Sequence, residues 1–171
     1  MEKWKTKIFP FFILFFFFLI DGFLANFFNQ QLHFSVGYLA PRLTIICFVI
    51  FTIQLKKTNM FLIGLLIGFL FDSYYAGILG VYMASFSLMY YIIVQLRNYF
   101  YPGWIAYTFI GALMILFNEL FIFSVYSVID LTNFTFSHFW AEYIGITFTG
   151  NFVLLLILTP VLDRLARFLN E

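Results

Sequence analysis

The sequence predicts an all-α integral membrane protein, a six-transmembrane helical bundle with both termini cytoplasmic and a short third span. Three observations predict it: a composition too greasy for water, a succession of apolar runs of membrane-crossing length, and a one-sided distribution of lysine and arginine. Of 171 residues, 64% are hydrophobic, 25% aromatic and 10% charged, where a soluble domain carries roughly 25% charged residues. Phenylalanine alone occupies 28 positions, and so few polar residues cannot cover a compact core in water.

The runs follow in order, each bounded by charges or turn residues and judged against the roughly 20 apolar residues that a helix needs to cross the hydrocarbon layer. The first, 8–28, follows the basic segment containing Lys3, Lys5 and Lys7. Basic-then-apolar is also the order of a secretory signal. The run is expected to stay as an anchor, because Phe23 spoils the small-x-small pattern that would precede a cut after Ala25. The second is 38–55, the third 60–71, the fourth 76–96, the fifth 103–128 and the sixth 139–161.

The third run is the short one. About a dozen residues extend only some 18 Å as a helix, which requires snorkelling flanks or a thinned bilayer. Charge placement argues that it crosses. With six crossings, Lys3, Lys5, Lys7, Lys56, Lys57, Arg97, Arg164 and Arg167 share the cytoplasmic side, the connections around 29–37, 72–75 and 129–138 carry no lysine or arginine, and only Arg42 departs from the pattern. A re-entrant third run would put Arg97 and the Arg164/Arg167 pair on opposite faces and erase the positive-inside asymmetry. No connection exceeds about a dozen residues, so the whole chain, 1–171, is expected to be a single transmembrane domain.

Ionisable residues inside a bilayer are costly and ask for a partner, water or a role. Asp21, Arg42, Asp72, Glu119 and Glu142 all fall in the outer half or at the outer edge. They form a candidate intramembrane ion-pair cluster in which Arg42 is the one cation. The expectation is that Arg42 pairs with one acid, Asp72 or Asp21 being first choices, and fixes helix register around an outward-facing cavity. The competing reading is interfacial solvation, since Arg42 follows Pro41 and a long side chain there can reach headgroups. A proton or ion path would use the same acids with Asn118, Thr147, Thr149 and Asn151. Against it, the inner halves of the first four runs are nearly pure Phe, Leu and Ile.

Gly64 and Gly68 make a GxxxG on the third run, and Gly77 and Gly80 open the fourth. Small residues at this spacing let helix backbones approach closely. These glycines and Asp72 are therefore the candidate helix-packing residues. Nothing points to catalysis. His33 and His138 sit in no metal-protease motif, no nucleophile-elbow glycine pattern occurs, and Cys47 is the single cysteine, with no second thiol for a disulfide. No phosphate-binding glycine loop is present either, so no catalytic residue, cofactor, metal ligand or nucleic-acid partner is expected.

The stretch Gly64-Leu-Leu-Ile-Gly68-Phe-Leu-Phe-Asp72-Ser-Tyr-Tyr-Ala-Gly77-Ile-Leu-Gly80 resembles the most characteristic segment of the MreD family. There a glycine-bearing short span ends in an aspartate and a Leu-Gly step opens the next. The length, the basic N-terminus and the near absence of loops resemble that family over the whole chain. The resemblance implies a non-enzymatic component of the bacterial cell-elongation complex in the cytoplasmic membrane. It also implies association with MreC and, indirectly, with MreB, RodA and a class B penicillin-binding protein.

The alternative is a substrate-binding subunit of an energy-coupling-factor vitamin transporter, also a six-span protein of this size. Those subunits resemble one another in small residues at four-residue spacing on the first helix, where this chain has Phe-Pro-Phe-Phe-Ile-Leu-Phe-Phe-Phe-Phe-Leu-Ile.

Overall fold

The computed structural model describes residues 3–31, 40–56, 58–100, 103–132, 135–140 and 145–170. Among these the regular structure is entirely helical. The first helix, α1 (Lys3–Gln31), carries Phe9, Phe12, Phe16, Leu19, Phe23 and Phe27 exposed along one stripe and turns Leu14, Phe18 and Asp21 inward. The three-and-four spacing of both sets is that of one helix with two faces. Because the outward face is itself apolar, it suits lipid and not water.

The next helix, α2 (Leu43–Gln54), is the axis of the bundle. Every residue from Leu43 to Ile53 is buried, and the helices before and after it in the chain all pack against it except the single turn near residue 137. A helix apolar on all sides belongs in the middle. The hydroxyl of Thr52, in the C-terminal half of α2, is hidden by donating to the Phe48 carbonyl at 2.7 Å.

The following pair, α3 (Met60–Phe71) and α4 (Val81–Leu96), forms a tight hairpin with the most extensive helix–helix contact among the described residues. Asn59 starts α3 by accepting from the Leu62 amide. At its far end α3 widens into a π-helical turn, Asp72–Ala76, which Gly77 terminates at φ 67°. The remaining helices are α5 (Trp104–Val128), the single turn α6 (Phe136–His138) and α7 (Gly145–Asn170).

The aromatic content has a structural use. Phe71 meets Phe18 edge-on at 4.8 Å and stacks on Tyr82 at 5.0 Å, and Phe86 meets Phe48 edge-on at 5.0 Å. These rings tie α1, α2 and the α3–α4 hairpin together through geometries that aromatic pairs favour.

Among the described residues, two helices are long and apolar enough to cross a membrane by length and composition, Ile8–Phe27 within α1 and Trp104–Val128, while Leu43–Gln54, Met60–Ala76 and Val81–Leu96 are shorter apolar helices. Helix boundaries differ from the sequence expectation at five places, the first being α1, which runs from Lys3 to Gln31 past both ends of the expected 8–28. The second helix begins at Leu43 and not at 38, because Pro41 lacks an amide for the helix and the first turn of α2 is capped by side chains from other helices. The third runs past 71 through the π turn to Ala76. The fourth starts at Val81, since Gly77 and Gly80 adopt positive φ values of 67° and 108° that break the helix. The last starts at Gly145 and continues to Asn170, with 141–144 outside the described residues.

The two ends of the bundle differ chemically. At one end the C-terminus of α2 meets those of α4 and α7: Arg97 donates to the Thr52 carbonyl at 3.1 Å, and Gln54 donates to Tyr107 and to Asp163, which also pairs with Arg167 at 2.7 Å. At the opposite end lie Asp21, Arg42, Asp72 and Glu119.

Candidate functional site

The site is built around two helix starts. Peptide N–H groups in the first turn of a helix have no intrahelical acceptor, and in a bilayer no water replaces one. The first residues of both helices, Leu43 in α2 and Val81 and Tyr82 in α4, are buried, so both starts need acceptors from elsewhere. Two aspartates supply them.

Asp21, on the inward face of α1, accepts from the Leu43 amide at 2.8 Å through Oδ1 and from the Thr44 amide at 2.9 Å through Oδ2. Asp72, at the end of α3, accepts from Tyr82 at 2.7 Å through Oδ1 and from Gly80 and Met83 at 2.8 and 3.2 Å through Oδ2. Asp72 is fully buried and Asp21 nearly so. In each case a carboxylate from one helix sits on the positive end of another, an arrangement stabilised by both hydrogen bonds and the helix dipole. Gly80 has the backbone that this requires: at φ 108° its own amide turns into the Asp72 carboxylate.

Arg42 stands at the start of α2 and joins the remaining elements. Its Nε donates to Glu119 Oε1 at 2.7 Å and its Nη2 to Oε2 at 3.4 Å, with both side chains largely shielded. Its backbone amide donates to Asn151 Oδ1 at 2.7 Å. Asn151 in turn donates through Nδ2 to the carbonyls of Ala40 and Thr147, each at 2.8 Å. Thus α1, α5 and α7 all reach the first turn of α2. α4 is fastened at the same end of the bundle through the Tyr82 amide, which donates to Asp72.

The structure corrects the expected partner of Arg42. The guanidinium pairs with Glu119 and not with Asp21 or Asp72, because both aspartates are spent on backbone amides. Glu142 lies outside the described residues. The polar residues that could have lined an ion path are engaged in part, with the Asn118 Nδ2 buried and unpartnered among the described residues and Thr147 bonded through its backbone carbonyl. Asn118 accepts from Ser85 at 2.9 Å, Thr147 accepts from Asn151, and Thr149 donates to the Gly145 carbonyl at 2.7 Å.

The glycines divide by purpose. A Cβ on Gly68 would stand 2.7 Å from Met83 Cα and 2.8 Å from its nitrogen, so α3 and α4 touch backbone to backbone there. A Cβ on Gly64 would meet the Phe48 ring at 2.9 Å. Gly77 and Gly80 have open space around them and are required for their positive φ.

Two further close approaches are not signalled by the sequence. A Cβ on Gly111 would stand 2.6 Å from a Leu155 methyl carbon, and Gly22 lies directly under the Tyr75 hydroxyl. Neither glycine has another glycine four residues away, so neither forms the spacing that marks a packing face. Asn151 as a clasp for α2 was also not anticipated. Its signal was present, as an amide side chain in an otherwise apolar stretch of α7.

What this arrangement does chemically is hold. Carboxylates meet amides, the guanidinium meets a carboxylate, and no group of three His, Cys, Asp or Glu among the described residues is placed to hold a metal ion.

A family model described as "rod shape-determining protein MreD" matches residues 5–169. The rod shape-determining protein MreD of Bacillus subtilis (strain 168) is 26% identical over 101 residues, which is 59% of this chain and 59% of the relative. The aligned part thus spans about 59% of the length of that curated relative. No solved structure matches. With the family match covering nearly its whole length, the chain belongs to the MreD family of rod shape-determining proteins.

Proposed function

We propose that this protein is a non-enzymatic, multi-pass component of the bacterial cytoplasmic membrane that helps determine rod shape, acting as a scaffold in the cell-elongation complex. The observation that carries the reading is the family match over residues 5–169. The chemistry of the bundle supports it. The intramembrane charges fasten helices to one another, which is what a rigid scaffold needs and what an ion path would avoid.

In this reading α1 to α5 and α7 all cross the bilayer. The end bearing Lys56, Arg97 and Arg167 faces the cytoplasm, in keeping with the positive-inside rule, and the polar clasp lies toward the outer side. The short α2 is accommodated because its neighbours enclose it on every side, so it never faces lipid hydrocarbon itself. MreC is the proposed direct partner. MreB, RodA and a class B penicillin-binding protein are reached through it.

Affinity purification of the full-length protein in mild detergent, followed by mass spectrometry, tests the proposal. Co-recovery of MreC and a wall synthase supports it. Recovery of paired nucleotide-binding subunits in their place overturns it.

A further inference from the structure

A second polar feature lies at the basic end, remote from the clasp. A cavity of about 170 Å³ opens between the C-terminus of α2, the C-terminus of α4 and the first turns of α5. Its wall carries Lys56, Arg97, Gln54, Tyr107, Ala106 and Phe100, so it presents two cations and no carboxylate. Asp163, the acid that reaches Gln54, is also engaged by Arg167.

Three observations give this cavity a positive field. Arg97 is held at the wall by donation from Nη1 to the Thr52 carbonyl at 3.1 Å, and its Nε is buried without a hydrogen-bond partner. Its charge is therefore fixed in place, and no acid among the described residues pairs with it. Lys56, exposed at the rim, adds a second charge on a flexible stem. The third contribution is the start of α5, whose first turn contains Ala106 and Tyr107. Gly103 provides no side-chain cap and the first turn has no acidic residue of its own, so the positive end of a 25-residue helix adds to the field.

We propose that this cavity binds a phosphate group, and that the phosphodiester of an anionic phospholipid is its source. The chemistry fits: a guanidinium and an ammonium on one side, the first turn of α5 on another, and Tyr107 within it. The position fits as well. Trp104 and Phe100, both exposed next to the cavity, are suited to the acyl and glycerol region just below a headgroup. Basic pockets between membrane helices on the cytoplasmic side recognise anionic headgroups by these means. The choice of leaflet rests on the orientation proposed above, whereas anion binding does not depend on it.

Native mass spectrometry of the full-length protein tests the site, with equimolar phosphatidylglycerol and phosphatidylcholine supplied in mild detergent. The expected result is retention of phosphatidylglycerol over phosphatidylcholine by about tenfold. That preference should be lost in the Lys56→Gln/Arg97→Gln double variant and kept in Arg164→Gln, which alters an exposed charge on α7.

A second arm titrates inorganic phosphate into lipid-free micelles and reads the melting temperature. A rise that the double variant abolishes, without lipid preference in the first arm, supports phosphate binding from a soluble source. Because Lys56 is exposed, Lys56→Gln alone preserves the fold and should weaken retention by a smaller factor, which guards against loss through misfolding of the Arg97 variant. Equal retention of the two lipids together with no response to phosphate overturns the proposal, as does a phosphatidylglycerol preference that survives both substitutions.

Discussion

Arg42 Nε lies 2.7 Å from Glu119 Oε1, so the start of the buried central helix is tied to the middle of α5 through a shielded ion pair. The pair is one side of a junction whose other sides are Asp21 from α1 and Asn151 from α7. Removing one partner of such a pair strands the other charge, at a cost of about 3–5 kcal/mol. Glu119→Ala and Arg42→Ala should each lower the melting temperature of the purified protein. The exchange Arg42→Glu/Glu119→Arg should recover part of the loss. Additive single effects with no recovery in the exchanged protein would show that the two side chains do not act as a pair.

The two aspartate caps predict a graded series. Asp72→Asn keeps one acceptor oxygen for three amides, whereas Asp72→Ala leaves the Gly80, Tyr82 and Met83 amides without their acceptor. Stranding the buried Tyr82 donor alone costs about 1–3 kcal/mol, with smaller costs at the part-buried Gly80 and Met83 amides. Alanine should therefore be clearly worse than asparagine, and hydrogen exchange at Tyr82 and Met83 should accelerate in both variants. Unchanged protection at those two amides in Asp72→Ala would remove Asp72 as the cap of α4.

Gly68 makes a steric prediction. A methyl group there meets the Met83 backbone, which cannot rotate out of the way. Gly68→Ala should destabilise the α3–α4 hairpin by about 1–3 kcal/mol, the usual range for overpacking. Gly145→Ala is the control: a Cβ there has open space and the residue has no positive φ, so its melting temperature should stay close to that of the parent. Equal tolerance at both positions would mean that α3 and α4 do not meet at Gly68.

How much of this is legible in the sequence depends on the kind of interaction. The apolar runs and the glycine hairpin are legible because they are periodic or local: Gly64, Gly68, Asp72, Gly77 and Gly80 lie within one short stretch. The membership of the polar cluster is legible too, because each charge stands out in an apolar background. The pairing is not. Asp21 and Leu43 are 22 residues apart, Arg42 and Glu119 are 77, and Arg42 and Asn151 are 109. Nothing local chooses among the acids for Arg42. What decides is that two of them face helix starts with unpaired amides, a need that exists only because α2 and α4 begin inside the bundle. The boundaries of α2 and α4 are hidden for a related reason: hydropathy continues through Gly77 to Gly80, but the helical backbone there does not.

The orientation of the bundle makes the last prediction, and it can be read in living cells. Cys47 is fully buried, so Cys47→Ala provides a background with no thiol in the chain, and single cysteines introduced at chosen positions then report their side. Lys56 and Val128 are both exposed and lie at opposite ends of the bundle. With the basic end inside, a membrane-impermeant maleimide added to intact cells should label Val128→Cys and leave Lys56→Cys unmodified until the membrane is permeabilised. Labelling of Lys56→Cys from outside would invert the bundle. It would also move the Arg42–Glu119 junction to the cytoplasmic half and place the Lys56–Arg97 cavity against the outer leaflet.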